Sequence, residues 1–223
     1  MDDLEHLQSP QSTFLNLNQK KQERILNAAV DEFAGHGFKG ASMNTLVRVA
    51  GISKGSIFQY FSNKKGLFLY AFGHVTNLVK GYLKNVRAET ADEEVFERIR
   101  KSLLAGVAFV RRNPRIYNLY LRVVFESDIP FRSELLQSIR KLSIEYLAGL
   151  LKMGQERGEI DSHVDVYRAA FFLDSILDRF LQAYGMQHID ADLGLFQSSQ
   201  QEAEEWADQV IEFCRHGLGK NLQ

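Results

Sequence analysis

The sequence predicts an all-α protein in two parts: an N-terminal three-helix domain and a larger C-terminal helical domain. Three observations carry this. Apolar residues recur at three- and four-residue spacing through most of the 223 residues, no stretch alternates as a strand would, and only three prolines interrupt the chain. The expected divisions are a polar, mobile tail over 1–18, a compact domain over 19–66 and a second helical domain over 67–223.

The tail is rich in Asn and Gln, and Asn18 is placed to cap the first helix. That helix is expected over Gln19–Ala34, with Ile25, Ala28, Ala29 and Phe33 on one face. Gly35 and Gly37 allow the left-handed residue that closes a helix. Ser42 then caps a short helix through Leu46, Val47 and Ala50, Gly51 ends it, and Ser53 caps another through Ile57, Phe58 and Phe61. Two short helices around a glycine turn make a helix-turn-helix, whose second helix enters the major groove of DNA.

The outward side chains suit that task. Lys54, Ser56, Gln59 and Tyr60 can donate to phosphates or base edges, and Gly55 lets the backbone approach closely. Ser42, Thr45 and Ser53 complete the expected contact set with Lys64 and Lys65. These two lysines come after the cap Asn63 at a helix start, where they oppose the helix dipole unless a phosphate sits between them. Charge points the same way: residues 19–66 hold eight basic residues against three acids, a local +5 within a chain of net charge −1. A basic small domain on an acidic larger one suggests that the first part alone meets a polyanion.

Phe33-Ala34-Gly35-His36-Gly37-Phe38, the helix from Ser42, the run Gly51-Ile52-Ser53-Lys54-Gly55-Ser56-Ile57-Phe58-Gln59-Tyr60-Phe61 and Asn63-Lys64-Lys65 together resemble the DNA-binding domain of TetR-type transcriptional repressors. The resemblance covers about residues 19–67. Val47 stands where that family usually has Ala, and Lys65-Gly66 where an acid and a better helix former are common. The resemblance implies a ligand-responsive regulator, with double-stranded operator DNA, a second copy of the chain and a small-molecule effector as partners.

A long helix is expected from Lys64 to about Ala88, a lever between the two parts. Asp92 is placed to cap a helix to Arg112, Asn113-Pro114 breaks it, and a short aromatic helix comes next. Another runs from Pro130 through Met153 to Gly158. The last two, about Val164–Tyr184 and Ser198–His216, carry apolar residues on more than one face, so they want more than one neighbour. In proteins this chain resembles, two such helices pair with their copies, which assigns Ile176, Phe180, Tyr184, Trp206, Val210 and Phe213 to a dimer interface. A dimer would read a palindromic operator with half-sites roughly 34 to 36 Å apart. Aromatic residues with a few polar anchors suggest an apolar or aromatic effector held by His74, Tyr117, Tyr120, Arg122, Phe125, Tyr146, Phe172 and Asp174. Aromatic stripes are also ordinary core, and the charged members are also ordinary surface residues.

Enzymatic chemistry is not expected. The six histidines form no pair at metal-ligand spacing, the single Cys214 has no nucleophile constellation around it, and no glycine-rich phosphate loop comes after a strand. No catalytic residue, metal or cofactor is therefore assigned. No run of about 18 apolar residues suggests a membrane span. The acidic, polar start gives no secretory signal, and one thiol suits a reducing cytoplasm. A transcriptional activator of the same fold, or a helical ligand-binding protein without a DNA function, stays open as an alternative.

Overall fold

The computed structural model describes residues 10–218, so Asp2, Asp3 and Glu5 of the expected tail lie outside the described residues. Those described form ten helices and no strand. They are α1 (Ser12–Leu15), α2 (Gln19–Gly40), α3 (Met43–Ala50), α4 (Lys54–Tyr60), α5 (Lys64–Glu89), α6 (Val95–Arg112), α7 (Pro114–Phe125), α8 (Arg132–Glu156), α9 (Val166–Gly185) and α10 (Gln200–Leu218). The described residues form two compact units: residues 10–80 with Arg115–Ser138, and Gly81–Pro114 with residues 139–218.

In the first unit the caps stand where the sequence places them. The side chains of Asn18, Ser42 and Ser53 accept from the amides of Lys21, Thr45 and Ser56, each at a helix start, and Asn63 accepts from Gly66. Gly51 closes α3 in the left-handed region, at φ 62°, and the next amide, that of Ile52, donates back to the Val47 carbonyl. Val47 itself is buried beside Leu46 and Ala50. Ile25, Ala29, Phe33, Ala50, Ile57, Leu67 and Phe68 are fully enclosed.

Two expectations are corrected by this unit. Residues 10–18 are not a loose tail, because Phe14 is wholly buried and the segment contains α1. The first long helix does not end at Ala34 but kinks at Gly37 (φ 66°) and resumes to Gly40. The left-handed φ at Gly37 calls for glycine, and a Cβ there would also displace the Glu126 carboxylate, 2.7 Å away.

The second unit is built on α6, with α9 and α10 packed against it. Val95, Phe96, Ile99, Leu103, Leu150, Leu151, Ala170, Leu173 and Ala207 form its core. The start of α6 is capped by Glu94 rather than Asp92: Glu94 accepts from the Glu97 amide, and Glu159 takes the Val95 amide at 2.7 Å. The helix begins where Val95 first enters the core, and Asp92 is left in the preceding turn. Asp165 caps α9, which begins at Val166, two residues later than the expected start at Val164. Arg98 is buried and donates to the Thr90 hydroxyl and the Arg87 carbonyl; burial pushes its guanidinium pKa down.

Candidate nucleic-acid interface

The helix-turn-helix comprises α3, the Gly51-Ile52-Ser53 turn and α4. From α4 the side chains of Lys54 and Gln59 stand exposed beside Gly55, and Arg48 is exposed on α3. Arg48 is absent from the expected set, although its position opposite the buried Leu46–Val47–Ala50 stripe would have marked it. Ser42 and Thr45 are half-buried at the α3 start. Ser53 and Ser56 hydroxyls lie 2.8 Å apart, so each has a partner within the cap. Lys54, Gly55 and Gln59, with the apolar Phe58, are thus the exposed residues of α4.

Three other expected contacts have work inside the unit. Tyr60 is buried, its ring 5.9 Å from that of Phe14. The Lys64 ammonium donates to the Ala41 carbonyl at 2.6 Å and the Lys39 carbonyl at 3.2 Å, and it lies over the Phe38 ring. A lysine at the N-terminus of α5 therefore faces the carbonyl end of α2, where a cation is favourable, and the dipole conflict disappears. Lys65 is exposed but sits 3.6 Å from the centre of the Phe131 ring.

The eight expected effector contacts divide between the units. In the first, His74 is half-buried on α5, and Tyr117 packs against Tyr120 on α7. Phe125 is 52% exposed. Arg122 donates to the carbonyls of Ala34 at 2.6 Å and Gly35 at 2.7 Å and pairs with Glu126, so it braces α2 just before its kink. In the second unit the Tyr146 hydroxyl meets that of Ser102, Asp174 pairs with Arg140, and Phe172 is 62% exposed. A cavity of about 290 Å³ in that unit is lined by other residues, among them Tyr82, Asn85, Glu89, Thr90 and Lys101.

The expected dimer residues also separate. Phe180 and Tyr184 turn into the core of their own unit, because they share the face of Leu173 and Leu177. Ile176, Trp206 and Val210 are half-buried, and Phe213 is 71% exposed. Tyr167 and Phe171, not expected at this face, are as open to solvent as Phe172. Among the described residues no helix is long and apolar enough to cross a membrane.

Comparison with known proteins places this geometry. Residues 25–71 match the model for bacterial regulatory proteins of the tetR family, and residues 93–219 match that for the tetracyclin repressor-like C-terminal domain. The HTH-type transcriptional regulator YerO of Bacillus subtilis is 26% identical in an alignment of 166 positions that covers 67% of this chain and 56% of YerO. The chain thus spans little more than half the length of that relative. The probable acrEF/envCD operon repressor of Escherichia coli K12 is 22% identical over 78% of this chain and 80% of its own. A crystal structure of a TetR family transcriptional regulator from Chloroflexus aurantiacus superposes with a TM-score of 0.66 at 26% identity, covering 95% of this chain and 99% of that one. With one family model covering the helix-turn-helix and another most of the remainder, the chain belongs to the TetR family of bacterial transcriptional regulators.

Proposed function

We propose that this chain is a repressor that binds a two-fold symmetric operator as a homodimer and is released by a small apolar or aromatic effector. The observation that carries the reading is the α4 surface, where Lys54, Gly55 and Gln59 stand exposed on a helix fixed behind a left-handed glycine turn. One such helix offers few base contacts, so a second copy is needed to make a specific site. Tyr167, Phe171, Phe172 and Phe213 supply apolar surface for that copy. The cytoplasm is the compartment in which such a dimer meets DNA.

The mechanism is a population shift. The DNA-competent dimer holds its two α4 helices at operator spacing, and effector stabilises an arrangement that does not. The path is α5, which contributes to both compact units. Footprinting on DNA upstream of the chain's own gene, at two salt concentrations, tests the proposal. A symmetric, salt-sensitive footprint that disappears as effector is added is expected. Protection one half-site wide would sink the dimer reading, and indifference of the footprint to a panel of apolar and aromatic molecules would sink the effector class.

A further inference from the structure

The segment ahead of α2 makes a hook around the far end of α4. Phe14 is fully buried, with its ring 4.8 Å from Phe61, 5.4 Å from Tyr70 and 5.9 Å from Tyr60. The Gln11 amide donates to the Tyr60 carbonyl at 3.0 Å, and the Thr13 hydroxyl donates to the Gln59 carbonyl at 2.9 Å. On its other side the hook is tied to α2 by one side-chain amide: Gln22 Nε2 reaches the carbonyls of Leu17, Leu15 and Phe14 at 2.9, 3.0 and 3.3 Å. The match to the family model starts at residue 25, downstream of this segment.

The hook answers a physical need of α4. A helix of seven residues is marginal by itself, and its last carbonyls have no intrahelical donor. Gln11 and Thr13 supply donors to two of them, while Phe14 holds Tyr60 and Phe61 from behind. We infer that residues 10–18 are a positioning element for DNA recognition, fixing the C-terminal end of α4 and hence the attitude at which Lys54, Gly55 and Gln59 meet the groove. The inference rests on the DNA-binding reading. It gives Tyr60 a different job from base contact: it is the internal post to which the hook attaches.

Gln11 has φ −64°, the value a proline ring fixes, so Gln11→Pro removes the amide donor at a φ the ring accepts. The full chain is titrated with operator and with a scrambled duplex of the same length. Gln11→Pro and Thr13→Val are each expected to weaken operator binding by about threefold to tenfold, the usual worth of one lost hydrogen bond. Gln11→Ala keeps the amide and Thr13→Ser keeps the hydroxyl, so both should stay within about twofold of the parent. Scrambled DNA, held through phosphates, should be bound equally by all four. Phe14→Ala should act in the same direction as the donor deletions and more strongly. Operator affinity unchanged in Gln11→Pro and Thr13→Val, or equal losses on both duplexes, overturns the inference. If the parent finds no operator, that failure belongs to the DNA reading. Hydrogen exchange over Lys54–Tyr60 then decides the hook, with faster exchange in Gln11→Pro supporting it and unchanged exchange refuting it.

Discussion

The two compact units are held together by different means. In the first, the helices of the helix-turn-helix are only eight and seven residues long, and polar side chains reach across to close backbone ends. Arg24 donates to the Ala50 carbonyl, Lys64 to Ala41, Arg122 to Ala34 and Gly35, and Gln22 to three carbonyls of the hook. In the second, α6, α9 and α10 run 18, 20 and 19 residues and satisfy most of their own backbone. Side chains close backbone there in the connections between helices: Arg157 donates to the carbonyls of Ala91 and Glu93, Gln155 to those of Asp161 and Val164, and Asp190 accepts from the amides of Leu195 and Phe196. Its helices α9 and α10 leave four large aromatic side chains, Tyr167, Phe171, Phe172 and Phe213, open to solvent. Short helices make a rigid reading head that must be stitched, and long ones make a body with surface left over for a partner.

The largest expected effect breaks the second half of that contrast. Phe172→Glu combined with Phe213→Glu puts two charges on the aromatic surface, both at positions already open to solvent in one copy. Neither change disturbs the core, so the folded helix content should persist. Sedimentation should show a monomer, and operator affinity should fall by about a hundredfold or more, as loss of two interface anchors implies. An unchanged dimer would move the partner surface elsewhere.

Arg122→Ala probes the stitching in the first unit. It takes the donors from two carbonyls of α2 ahead of the kink and leaves Glu126 facing Gly37. A loss of about 2 kcal/mol in urea unfolding is expected, as for hydrogen bonds from a charged donor. Arg122→Lys, with a single ammonium, should recover part of it.

The helix caps of the two units should differ in the same sense. Ser53→Ala removes the acceptor at the start of α4 and should cost about 1 kcal/mol. Glu94→Ala, made in an Arg215→Ala background so that its ion pair with Arg215 does not enter, removes the corresponding acceptor from α6, where Glu159 still holds the Val95 amide, so it should cost about half as much on the same scale. Equal losses would mean that helix length and second acceptors do not matter as argued.

The same contrast explains what the sequence could disclose. Asn18, Ser42, Gly51, Ser53 and Asn63 are legible because capping and turn chemistry are local, acting within three or four residues. Phe14 is not: it is one apolar residue in a polar run, with no periodic neighbours to mark a buried face. Nor are Lys64 and Arg122, whose partners lie 23 and 88 positions away, at backbone carbonyls that any sequence possesses. Helices such as α9, apolar on more than one face, announce two neighbours without saying which face meets which. Phe180 and Phe172 are both aromatic residues on apolar faces of α9, yet the first is buried in its own unit and the second is open to solvent.

The smallest effect concerns pH and the first unit alone. His74 is half-buried on α5, and burial holds its imidazole below the ordinary value of 6.5, with the Glu23 carboxylate pulling more weakly the other way. The unfolded chain binds the proton at the ordinary pKa, so as pH falls through that value protonation favours unfolding. The contribution of His74 to stability is therefore intact above the ordinary value of 6.5 and is lost across a window that opens there and extends to lower pH. His74→Gln should flatten the dependence of the unfolding midpoint on pH across that window. Glu23→Gln should steepen it, because the opposing attraction is gone. If Glu23→Gln flattened the profile instead, the charged imidazole would be unfavourable for a reason other than burial, and α5 would be less tightly enclosed at His74 than the aromatic packing beside it implies.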